Sequence, residues 1–134
     1  MTRPEIDAFF EPVTGSVAYL VHDPTSKRAA IVDPVLDYDA RRARTSTGFA
    51  DRIVARAGER GVGVEWILET HIHADHFSAA GYLRQKLGAK TAIGEHVTVA
   101  QRHFAAFYNL GAEFRTDGSQ FDRLLREGDK VRLG

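Results

Sequence analysis

Residues 71–76 read His-Ile-His-Ala-Asp-His, and this run constrains the fold more than any other part of the chain. Imidazole and carboxylate are the side chains that ligate zinc, iron and manganese. Four of them, His71, His73, Asp75 and His76, fall within six consecutive positions. In an extended segment His71 and His73 point to one side, because side chains alternate with period two. If the chain then turns into a helix, Asp75 and His76 swing back toward the same point. One strand-to-helix loop can thus present four metal-binding groups to one small volume. The competing explanation is a solvated loop that carries histidines by chance. Burying these groups without a metal would leave several of them short of partners, at about 1–3 kcal/mol each.

The rest of the chain is compatible with a soluble globular domain of α/β type. Its 134 residues are enough for one domain with a core, so residues 1–134 are expected to form a single unit. Eighteen basic residues balance eighteen acidic ones, which gives no reason to expect nucleic acid or an anionic membrane as a partner. The Arg41-Arg42-Ala43-Arg44 cluster is local and is expected to be a solvated loop. There are no cysteines, which excludes disulfides, a cysteine nucleophile and thiolate ligands. The first residues carry charge where a secretory signal needs an apolar run, and no stretch approaches a membrane span. A cytoplasmic location is the expectation.

Local patterns outline the elements. Val17–Val21 and Ala29–Val32 read as strands joined through the turn residues Asp23, Pro24 and Ser26. His22 would then sit at a surface turn. The segment 38–47 reads as polar and irregular. Thr47 is expected to cap a helix from Phe49 to Arg60, with Ala50, Ile53, Val54 and Ala57 at helical spacing and Gly61 as its stop. Val64–Leu68 is a strand, Phe77–Leu87 a helix ended by Gly88, and Thr91–Ile93 another strand. Val97–Asn109 reads as a helix whose Phe104, Phe107 and Tyr108 should pack into a core, with His103 on its other side. Lys130–Leu133 alternates like a half-buried strand. Strand, helix, strand, helix, strand argues for α/β layers.

With a strand before it and a helix after it, His-x-His-x-Asp-His resembles the signature of the metallo-β-lactamase superfamily. The longer run Glu69–Ala80, with Ala74 between His73 and Asp75, is similar to the persulfide dioxygenase branch; glyoxalase II thioesterases usually carry a bulkier residue there. The run Gly88–Glu95 also resembles the dioxygenase-like members. Ile31-Val32-Asp33-Pro34-Val35 resembles their second strand, which ends in an aspartate near the metal. Asp33 is therefore expected beside the cluster, accepting a histidine N–H; the alternative is a simple strand-ending turn at Asp33-Pro34.

The resemblance implies the N-terminal half of an αβ/βα metallo-β-lactamase-like sandwich. It further implies oxidation of glutathione persulfide or a similar small thiol persulfide by dioxygen at ferrous iron. In that branch the iron is held by the first histidine of the motif, here His71, and by a later histidine and a later aspartate. Those later patterns are not found after His76, so the remaining ligands are expected outside these residues. Two-zinc hydrolases of the superfamily would instead use His71 and His73 for one metal and Asp75 and His76 for the other, with Asp75 orienting the water. A metal-binding domain without activity of its own is the third reading. An exposed apolar face, open to self-association or to another chain, is expected of a half sandwich.

Overall fold

The computed structural model describes residues 3–134. Strand β1 (Glu5–Glu11) turns back through Gly15, at φ +73°, into β2 (Ser16–Asp23). Strand β3 (Arg28–Val32) follows, then β4 (Val35–Asp39), β5 (Arg44–Ser46) and helix α1 (Gly48–Arg60). Next come β6 (Gly63–Leu68), the two-residue β7 (Phe77–Ser78), α2 (Ala80–Leu87), β8 (Lys90–Gly94), α3 (Val97–Phe107) and β9 (Arg123–Leu125). The main sheet has the order β1-β2-β3-β6-β8-β9, and β5-β4-β7 form a smaller one. The first three strands of the main sheet are antiparallel. From β3 onward its pairings are parallel, each reached through a helical crossover.

Alternation along the strands selects one face for the core. Phe9, Ala18, Leu20, Ala29, Ile31 and Ile67 are buried in one cluster with Phe49, Ala50, Ile53 and Ala57 of α1 and with Ala80 and Leu83 of α2. Both helices therefore cover the same side. The left-handed Gly61 and Gly88 end α1 and α2 as expected, a conformation glycine adopts without a Cβ penalty.

The structure corrects several local expectations. Thr47 does not cap α1 with its side chain; its hydroxyl donates to Asp51, while the Phe49 N–H donates to Asp37 Oδ2 at 2.8 Å. Asp37 belongs to β4, whose hairpin with β5 runs into the stretch 38–47 that reads as irregular, its backbone pairing Asp37 with Ser46 through to Asp39 with Arg44. Phe77 and Ser78 are not helical. They pair with Leu36 and Val35, so α2 starts only at Ala80. Helix α3 stops at Phe107, and Asn109 follows with φ +50°, a conformation asparagine tolerates. Residues 126–134 contain no strand; the Lys130 and Leu133 carbonyls accept from the side chains of Arg123 and Ser26 instead of from a neighbouring strand. His22 is buried in β2 rather than exposed at a turn, with Nε2 3.5 Å from Asp7 and 3.7 Å from Glu5. Phe104, Phe107 and Tyr108 are exposed, Phe107 by 71%; they contact each other and His103 instead of a core.

Candidate metal centre

The histidine loop leaves the end of β6 and returns to β7. Its backbone is anchored at the start by Asp33, the residue after β3. Asp33 has φ +51° and receives the Thr70 N–H at 2.8 Å on Oδ1 and the Thr70 hydroxyl at 2.7 Å on Oδ2. At the far end the Ala79 N–H donates to the Pro34 carbonyl at 2.8 Å. The Asp33-Pro34 corner thus holds both ends of the loop.

Three aromatic rings gather there. The His71 and His73 ring centroids lie 4.1 Å apart and those of His73 and His76 4.3 Å apart. Donor atoms of His73, Asp75 and His76 all lie within 4.8 Å of one another. His71 stacks beside this trio without joining it.

Hydrogen bonding assigns the tautomers. The Thr70 hydroxyl has one proton and gives it to Asp33, so the His71 Nδ1–H, 2.8 Å from that oxygen, donates to it. His76 Nδ1 lies 2.9 Å from the Phe77 carbonyl and must donate as well. In the neutral rings both Nε2 atoms then carry free lone pairs. His73 is held the other way round. Its Nε2–H faces Asp33 Oδ1 at 2.9 Å and Glu69 Oε2 at 3.1 Å, leaving Nδ1 free on the side of Asp75, 3.8 Å away. Ligand lone pairs with the opposite ring nitrogen tied to a carboxylate or carbonyl are what a metal site requires, so the residues present fit a transition metal.

The carboxylates around the rings differ in state. Burial would raise the Asp33 carboxyl, but the bonds from Thr70 and His73 outweigh it and hold it below the usual range. Asp75 is exposed and held low, first by the Ser16 hydroxyl, which donates to Oδ2 at 2.9 Å. Glu69 is only 7% exposed. Burial, together with the nearby Asp33 charge, pushes its carboxyl up to about 7, despite the bond it accepts from the Ser78 hydroxyl.

Glu69 and Ser16 are missing from the set of residues that the motif suggests. Glu69 could have been suspected from its place two positions beyond Ile67, where alternation calls for an apolar side chain. No local pattern points to Ser16, which reaches Asp75 from the start of β2. Glu11 is a further hidden carboxylate, closing the β1–β2 turn by accepting from the Val13 and Thr14 N–H groups and the Thr14 hydroxyl.

Two clefts meet at the loop. One of about 390 Å³ is lined by Glu69, His71, His73, His76, Arg84 and Phe121, among others. The other, about 840 Å³, runs past His73, Asp75 and His76 and along the β4–β5 hairpin.

The family model described as the metallo-beta-lactamase superfamily matches residues 12–133. The chain belongs to that superfamily. It is 53% identical over 131 residues to the "Beta-lactamase hydrolase-like protein" of Xylella fastidiosa, an alignment covering 98% of this chain and 30% of that one. It is 29% identical over 126 residues to the "Persulfide dioxygenase ETHE1, mitochondrial" of Homo sapiens, covering 93% of this chain and 37% of the other. Among solved structures, ETHE1 from Myxococcus xanthus superposes with a TM-score of 0.68 at 25% identity, covering 97% of this chain and 44% of that one. The chain therefore spans less than half the length of these relatives, as expected for one half of the sandwich. No helix among the described residues is long and apolar enough to cross a membrane.

Proposed function

We propose that the complete protein is a ferrous-iron dioxygenase that oxidises glutathione persulfide or a similar small persulfide. The reading is carried by the likeness to the human persulfide dioxygenase over 93% of this chain. Ferrous iron held by two histidines and a carboxylate keeps positions open for a sulfur and for dioxygen. His71 would be the iron ligand supplied here, through the Nε2 that its bond to Thr70 leaves free. The second histidine and the aspartate would come from outside these 134 residues. His73, Asp75 and His76 would line the metal's surroundings. Asp33 would act through His73 and Thr70, fixing the tautomer of one ring directly and that of His71 through the shared hydroxyl.

A second reading is favoured by one observation, the donor atoms of His73, Asp75 and His76 gathered within 4.8 Å. With zinc these residues would hold the metals of a hydrolase for thioesters or related bonds. Zinc there lowers the pKa of a bound water to about 7, and Asp75 would orient that water. The Xylella relative's name points the same way.

Elemental analysis, combined with oxygen uptake on adding glutathione persulfide and with a thioester hydrolysis assay, separates the two. Iron content with oxygen uptake supports the dioxygenase. Zinc content with thioester cleavage and no oxygen uptake overturns it. The 134-residue chain on its own is expected to bind metal weakly and to turn over neither substrate at ordinary enzyme rates, about 1–1000 per second.

A further inference from the structure

Among the described residues that line the wider cleft, one guanidinium makes no ion pair. This cleft is lined by the histidine loop and also by the β4–β5 hairpin, with Val13, Leu36, Tyr38 and Phe77 as apolar surface. Tyr38 meets Phe77 edge-on at 5.1 Å. Every carboxylate along it has a partner. Glu11 is bonded within its turn, Asp37 takes the Phe49 N–H, and Asp75 takes the Ser16 hydroxyl. Asp39 accepts the Arg41 and Arg42 N–H groups on one oxygen and faces the Arg42 guanidinium at 3.8 Å with the other. The Arg41 guanidinium, by contrast, has no carboxylate within ion-pair distance among the described residues, yet it lines the same cleft as His73, Asp75 and His76.

A cleft of this size falls in the range of small-molecule sites, roughly 300–1,000 Å³. Metal-ligating groups, an apolar stretch and a lone cation share its wall. We propose that Arg41 is a specificity-determining residue that receives an anionic group, a carboxylate or a phosphate, on the substrate whose sulfur is brought to the histidine loop. The inference rests on the proposed thiol-derived substrate. Its physical basis is the planar guanidinium, which matches two oxygens of either anion at once. Asp39 supports this geometry by fixing the hairpin backbone at Arg41 and Arg42 and by occupying the neighbouring Arg42 charge.

The test is binding to the 134-residue chain, followed by NMR titration with glutathione, glutathione diethyl ester and coenzyme A. Arg41 is exposed, so Arg41→Gln leaves the fold intact. Arg44→Gln, on the same hairpin but outside the cleft lining, controls for general charge. The variant Arg41→Gln should weaken binding of the charged probe about tenfold, as expected for losing one charge-assisted contact. The ester should bind wild type and variant equally, and Arg44→Gln should match wild type. An effect confined to glutathione identifies a carboxylate, and one confined to coenzyme A a phosphate. Equal binding of charged probes by wild type and Arg41→Gln, an equal loss in Arg44→Gln, or no binding of either charged probe overturns the proposal. Arg41-dependent binding by this chain, with no oxygen uptake on persulfide by the complete protein, would sink the dioxygenase reading and leave this subsite standing.

Discussion

Phe9 and Phe10 are neighbours of identical chemistry, yet one is buried and the other is 59% exposed. They stand on opposite faces of the main sheet. Phe9 pairs with Ala18 on the side that α1 and α2 cover, in line with Leu20, Ile31 and Ile67. Phe10 pairs with Val17 on the other side, in line with Ile6 and Tyr19, all of them exposed. Both faces of β2 carry apolar side chains, but only one has a layer to bury it within the described residues. The covered face stabilises this chain. The open face is apolar surface of the kind that marks contact with another layer or another molecule.

The contrast has measurable consequences. Leu20→Ala, on the covered face, should cost about 3 kcal/mol in denaturant unfolding, whereas Phe10→Ala should cost less than about 0.5 kcal/mol. Equal losses would break the distinction. At the end of the covered face, two positions past Ile67, Glu69 makes stability depend on pH. Its carboxyl titrates near 4.5 when unfolded and about 7 when folded. Between those values the folded state binds more protons, so stability of the metal-free chain should fall as pH rises, by about 3 kcal/mol in total. The loss is complete above pH 7, and Glu69→Gln should flatten the profile between pH 4.5 and 7. A wild-type profile already flat there would show that Glu69 is not the buried group described.

Asp33 follows Ile31 on the same face. Asp33→Ala should lower zinc affinity about 10–100-fold, measured by competition with a chelator. Unchanged affinity would reduce Asp33 to a strand-ending turn. The smallest effect belongs to the open face. Wild type should self-associate as concentration rises in sedimentation experiments, and Phe10→Asp should weaken that association with little change in stability. A wild-type chain that stays monomeric at high concentration would show that the open face needs no cover.

Much of the fold is legible locally. Helix stops at Gly61 and Gly88 follow from backbone conformation, and the covered stripe of α1 follows from the spacing of Ala50, Ile53 and Ala57. The histidine loop is equally local, since its ligand-type side chains are neighbours in sequence. What escaped depends on distant partners. Phe77 and Ser78 pair with Leu36 and Val35 of β4, and that pairing delays the start of α2. The aromatic residues of α3 have the spacing of a core stripe but meet no core.

By itself the sequence determined the chemistry of the loop, the α/β order and the glycine stops of α1 and α2, because spacing, glycine conformation and ligand types act over a few residues. Only the tertiary structure decided which nitrogen of each histidine is free, that Glu69 and Ser16 join the site, that His22 is buried and that Arg41 lines a cleft. Those facts depend on burial and hydrogen bonding between segments up to 59 positions apart, as between Ser16 and Asp75, and folding alone brings such segments together.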